Sequence, residues 1–106
     1  MKLSPILASL CLLGLGISIG GAAAAADANL ARNLAATCAN CHGTDGRSAG
    51  GMDSLAGEAR DRLMQKLLAF KSGSRPATIM HQIARGYSDE QLALIAGYLS
   101  AQRAHE

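Results

Sequence analysis

Three features of the sequence predict a small all-α fold, with three main helices and one short one. Apolar residues recur at helical spacing in three separate stretches, and no stretch alternates apolar with polar residues as a half-buried strand does. Between the first two periodic stretches, Gly43 to Gly57 holds five glycines and no periodicity, which marks a long loop.

The first 26 residues are read as a secretory signal peptide. Met1-Lys2 is a short positive start, Ile6 to Gly21 is almost unbroken in apolar and small residues, and Ala22 to Ala26 offers a small-residue cleavage site. A spanning helix needs about 20 predominantly apolar residues, and this run is interrupted at Gly14, Gly16, Gly20 and Gly21. No arginine pair precedes it, so the general secretory route is expected, with release into the periplasm and no membrane span after cleavage. Leu10 is too large for a lipoprotein site at Cys11.

Residues 27–106 then form one domain. Removing Lys2 from the ten Lys and Arg of the chain leaves nine against eight Asp and Glu, a near balance that excludes a nucleic-acid footprint. The aromatics are Phe70, Tyr87 and Tyr98, with no tryptophan. A chain of roughly 80 residues with so few large apolar groups needs a staple from outside its own core.

The first helix is expected over Asp27 to Ala39, with Leu30 and Leu34 on one face and Asp27 or Asn29 as its cap. The second spans Glu58 to Ser72 on Leu63, Leu67 and Phe70, with Met64 and Leu68 alongside and Gly73 as its stop. A short helix, about Ile79 to Arg85, fits between Pro76 and Gly86. Ser88-Asp89-Glu90-Gln91 reads as a capping box, and behind it Leu92, Ile95 and Leu99 form a buried stripe flanked by Leu94 and Tyr98.

Where the first helix ends stands Cys38-Ala39-Asn40-Cys41-His42. A structural zinc site needs four ligands, yet there is no second cysteine pair, and His81 and His105 lie far apart. A redox dithiol expects a βαβ setting that is not readable here. The remaining reading is C-x-x-C-H, the attachment signature of c-type haem. Cys38 and Cys41 lie about one helical turn apart, so both sulfurs reach the vinyl-derived positions along one edge of the macrocycle. His42 follows as the proximal axial ligand. One covalent haem c would also be the missing staple.

For the distal position the candidates are Met52, Met64, Met80, His81 and His105. Met64 fits the core face of the second helix. Met52 is only ten residues beyond His42, and His105 is near the end of the chain. Met80 follows a loop containing Pro76 and is the expected ligand, with His81 next in order. Methionine opposite His42 implies a closed, low-spin iron and a raised potential, and so outer-sphere transfer of single electrons.

These motifs together resemble a class I cytochrome c over the whole of residues 27–106. A helix runs into CANCHG, the glycine-rich loop ends in Ser54-Leu55-Ala56-Gly57, a methionine comes late, and a tyrosine sits in the last helix. The resemblance implies that helix, loop and methionine wrap a covalent haem, with Leu55 against it. It also implies a close crossing of the first and last helices, for which Leu30, Ala31, Leu34, Gly97 and Tyr98 are suited. Relatives commonly carry proline where this chain has Asp53; a backbone carbonyl there still serves to accept from His42 Nδ1, and Asp53 reads otherwise as a solvated turn residue.

More narrowly, Thr78 to Ser88 resembles the cytochrome subunit of flavocytochrome c sulfide dehydrogenases. That likeness implies redox protein partners, among them a flavoprotein subunit that oxidises sulfide. A free-standing soluble carrier is the alternative, and a peroxidase-like haem enzyme with an open axial site is a third reading; no catalytic residue is assigned. Lys71 is a candidate to replace the methionine at alkaline pH. Arg60, Arg62, Lys66, Lys71, Arg75 and Arg85 are either one docking face or solvated surface.

Overall fold

The computed structural model describes Gly14 and residues 29–104. Gly14 apart, the expected signal peptide lies outside the described residues, as do the cap candidate Asp27 and His105. Within them the protein is helical, with no strand. The elements are α1 (residues 29–35), a 3-10 turn at Ala36–Cys38, α2 (Ala39–His42), a second 3-10 turn at Thr44–Gly46, α3 (Arg60–Ser72), α4 (Met80–Arg85) and α5 (Asp89–Ser100). No helix among the described residues is long and apolar enough to cross a membrane.

The last helix forms as its sequence dictates. Ser88 is extended (φ −70°, ψ 164°), its hydroxyl accepts from Gln91 N, and the Gln91 side chain accepts from Ser88 N, completing the capping box. Such a cap stabilises a helix by about 1 kcal/mol. Leu92, Ile95 and Leu99 are buried with Ala96 and join Leu63 and Ala35 in one core. Half-buried Met64 and Leu67 pack against it, so Met64 is a core residue as its spacing implies.

α3 ends on Gly73, which adopts the left-handed conformation (φ 82°) and returns its N–H to Phe70 O; glycine carries no Cβ penalty there. The helix starts two residues later than its periodicity suggests. Ala59 is extended (φ −56°, ψ 132°), and Glu58 instead receives the Lys66 amine. Arg75 lies over the Phe70 ring, 4.9 Å from its centroid.

The expected face of the first helix needs correction. Leu30 is 45 % exposed, whereas Ala35 is the buried residue and Leu34 lies half-buried beside it. The helix tightens into a 3-10 turn at Ala36–Cys38. A register set by straight α-helical spacing therefore does not carry through to the cysteines. Gly97 also departs from expectation: among the described residues the nearest group to a Cβ added there is Arg60 Nε, at 3.6 Å. The small residues that share the core between these helices are Ala35 and Ala96.

The glycine-rich loop is pinned to the end of α5. Gly46 O accepts from Leu55 N and Ala56 N, Gly57 N donates to Leu99 O at 3.0 Å, and Arg47 Nε donates to Arg103 O at 2.7 Å. Tyr98 donates its hydroxyl proton to Asp45 Oδ1 at 2.6 Å. That bond to a carboxylate holds the Tyr98 phenol above its ordinary value. The native chain thus keeps a proton that the unfolded chain releases at about pH 10. The bond's contribution is complete below that pH and is lost as pH rises through the native pKa. Thermal midpoints measured above about pH 10 should fall with pH, and more shallowly in Tyr98→Phe.

Candidate functional site

Cys38 closes the first 3-10 turn, and Cys41 and His42 lie on α2 directly after it. Cys38 is half-buried against the core and Cys41 is exposed, with both thiols free. Burial pushes the Cys38 thiol up from its ordinary value. The turn stops abruptly at Gly43 (φ 83°, ψ 163°), where a Cβ would sit only 1.9 Å from Arg47 O. Only glycine lets the chain leave His42 along this path.

His42 is half-buried, and its Nδ1 is 2.7 Å from the main-chain O of Asp53. Nδ1 donates in this bond, because a carbonyl only accepts, and Nε2 is left with its lone pair available to a metal. The same bond orients the ring and raises its basicity. Proline is not needed at position 53; the carbonyl alone makes the contact, while the Asp53 residue itself is exposed.

These residues fit a covalently attached haem. The donor set is two thiols one helical turn apart and an imidazole fixed in the metal-binding tautomer. Large apolar side chains also stand exposed in the segments around it: Met52 at 46 %, Ile79 at 50 % and Ile83 at 37 %. Among the described residues no group of three His, Cys, Asp or Glu side chains is placed to hold a simple metal ion.

Met80 opens α4 and is half-buried. The neighbouring His81 has its Nδ1 buried without a partner among the described residues. Leu55 is half-buried and packs on the core, as Cys38 does. Lys71 is held elsewhere, donating to Tyr87 O at 2.8 Å and Asp89 Oδ1 at 2.7 Å. The six basic residues weighed as a docking face are partly committed too: Lys66 to Glu58, Arg75 to Phe70, and Arg85 to Lys71 O. What sequence reasoning missed is Thr37, whose hydroxyl lies 2.6 Å from that of Tyr87. No local signal marks a pair fifty residues apart.

Comparison with known proteins agrees with this geometry. Residues 28–102 match the cytochrome c family. The chain is 43 % identical over 65 residues to the cytochrome subunit of sulfide dehydrogenase of Chlorobaculum tepidum, covering 61 % of this chain and 59 % of that protein. It is 40 % identical over 76 residues to the thiosulfate dehydrogenase electron acceptor of Stutzerimonas stutzeri, covering 70 % of this chain and 35 % of that one. Among solved structures, Acidithiobacillus ferrooxidans cytochrome c4 superposes with a TM-score of 0.66 at 33 % identity, over 72 % of this chain and 50 % of that one. The chain thus spans well under two thirds of each of these proteins. It belongs to the cytochrome c family, as a class I electron-carrier domain with one covalently bound haem c on the Cys38–Cys41 spacing.

Proposed function

We propose that this is a periplasmic monohaem cytochrome that passes single electrons through a haem held between His42 and Met80, receiving them from a flavoprotein that oxidises sulfide. The observation that carries the ligation is the bond from His42 Nδ1 to Asp53 O. It leaves Nε2 as the nitrogen that would bind the iron, with the Asp53 carbonyl, next in sequence to Met52, at the other end of the imidazole. Met52 is thereby left on the proximal side, and the opposite face falls to a residue from another part of the chain. Met80 answers that need. His81 is the weaker candidate, because it follows Met80 directly in α4, where helical register aims the two side chains apart.

When bound, the haem supplies a one-electron ferric–ferrous couple. The chain's residues tune and protect it. His42 is fixed in one tautomer by Asp53 O, Met80 contributes a neutral thioether that favours the reduced ion, and Cys38 and Cys41 hold the group irreversibly. A haem held by both His42 and Met80 would keep no open site for peroxide, which argues against the enzyme reading.

The likeness to the sulfide dehydrogenase subunit favours the flavoprotein donor, and export of residues 27–106 agrees with attachment to reduced thiols outside the cytoplasm. The likeness to a thiosulfate dehydrogenase electron acceptor favours the second reading, a free carrier that docks transiently. Purification from the native source separates them. Co-elution with a flavoprotein and sulfide-dependent haem reduction are expected; a lone monomer that sulfide and the flavoprotein fraction fail to reduce would leave the free carrier.

A further inference from the structure

The segment carrying Met80 is short and depends on its packing against α3. α4 is six residues long, its N-cap Ile79 makes no side-chain cap, and Ala84 is its one buried residue. Helices this short are not stable alone. What lies beyond α4 is a chain of polar contacts centred on Tyr87, seven residues after Met80. The Tyr87 hydroxyl meets Thr37 Oγ1 at 2.6 Å, and Thr37 immediately precedes Cys38. The Thr37 hydroxyl proton is already given to Leu34 O at 3.2 Å, so Tyr87 is the donor between them. The backbone repeats the connection on the other side: Tyr87 O accepts from Lys71 Nζ, which also reaches Asp89, and Tyr87 N donates to Ala84 O inside α4.

We propose that Tyr87 is a positioning residue for the axial methionine, tethering the end of the Met80 helix to the turn that carries Cys38 and leads into His42. This rests on the reading that Met80 is the distal ligand. The two axial side chains come from separate segments, and the spacing between those segments decides how strained or relaxed the bond from Met80 is. Tyr87 spans them with one hydroxyl on the haem-attachment turn and one carbonyl on α3. Lys71 is a structural strut in this arrangement.

Tyr87→Phe removes the hydroxyl and leaves the ring and the carbonyl. Thr37 is exposed, so water satisfies its oxygen and no buried group is stranded. The ferric, haem-loaded protein is titrated with imidazole while the methionine–iron absorption band is followed. Imidazole competes with Met80, so its apparent affinity scales with the fraction of molecules in which the methionine is released. Loss of one ordinary hydrogen bond from the closed state is expected to tighten imidazole binding by roughly threefold to fivefold. Thr37→Val should give the same shift, and the double variant no more than either single change.

Tyr98→Phe removes a bond of the same length to Asp45 in the glycine-rich loop; it should lower the thermal midpoint and leave imidazole affinity unchanged. Equal imidazole affinity in Tyr87→Phe and the parent overturns the tether, and so does an equal shift in Tyr98→Phe. Met80→Ala tests the underlying reading separately. If it keeps the absorption band, ligation by Met80 fails; if it loses the band while Tyr87→Phe binds imidazole like the parent, only the tether fails.

Discussion

Serine at both Cys38 and Cys41 is expected to abolish covalent haem attachment and, with it, cooperative folding. Among the described residues the buried apolar set is Ala35, Ala56, Leu63, Ala84, Leu92, Ile95, Ala96 and Leu99, and half of these are alanines. Full burial of a leucine or isoleucine contributes about 1.5–3 kcal/mol, whereas ordering each residue costs about 1.5 kcal/mol. Four large side chains do not offset the ordering of such a chain. The haem adds apolar surface on both faces and joins α2 to the segments that follow. Far-UV circular dichroism of the exported double variant should show reduced helicity and no sigmoidal thermal transition. A single serine leaves one thioether and should give an intermediate midpoint. A double variant that melts cooperatively within a few degrees of the parent would show that the peptide core suffices.

The parts of the fold that were legible in the sequence are those set by chemistry within a few residues. Ser88 and Gln91 cap α5 because side chain and backbone meet three residues apart, and Gly73 ends α3 because a left-handed residue is needed there. The stripe Leu92, Ile95 and Leu99 is buried because α5 is regular from cap to cap. The first helix misled for the complementary reason. Its pattern is regular, but which face is covered is set by packing against the core, which buries Ala35 and leaves Leu30 exposed. Gly97 suggested a close crossing with the first helix, but among the described residues the nearest group to a Cβ built there is the Arg60 side chain of α3.

The site divides along the same line. Cys38, Cys41 and His42 are read from their spacing, which the covalent chemistry demands. The partner of His42 Nδ1 is a backbone carbonyl, and every residue has one, so residue type at position 53 says little about whether the bond forms. Thr37, Tyr87 and Lys71 act through pairings across sixteen to fifty residues. Nothing in their local sequence distinguishes them from solvated surface.

Met80→Ala is expected to remove the methionine–iron band near the red end of the visible spectrum, lower the reduction potential and let imidazole or cyanide bind without competition. The thioether is neutral and soft, so it stabilises the ferrous ion more than the ferric. Water in its place reverses that preference, and the fall should be a sizeable part of the roughly 0.8 V over which axial ligands set haem potentials. Since a thioether does not titrate, the parent's band should persist unchanged from mildly acidic to neutral pH. Met52→Ala is the informative comparison. Met52 adjoins the residue whose carbonyl holds His42 Nδ1, at the other end of the imidazole from Nε2, so its loss should leave the band, the potential and the ligand affinity as they are. His81→Ala should likewise keep the band, because Met80 and not its neighbour in α4 is read as the ligand. If the band survives in Met80→Ala and vanishes in Met52→Ala, the chain crosses the haem by a different path from the one the Asp53 contact implies.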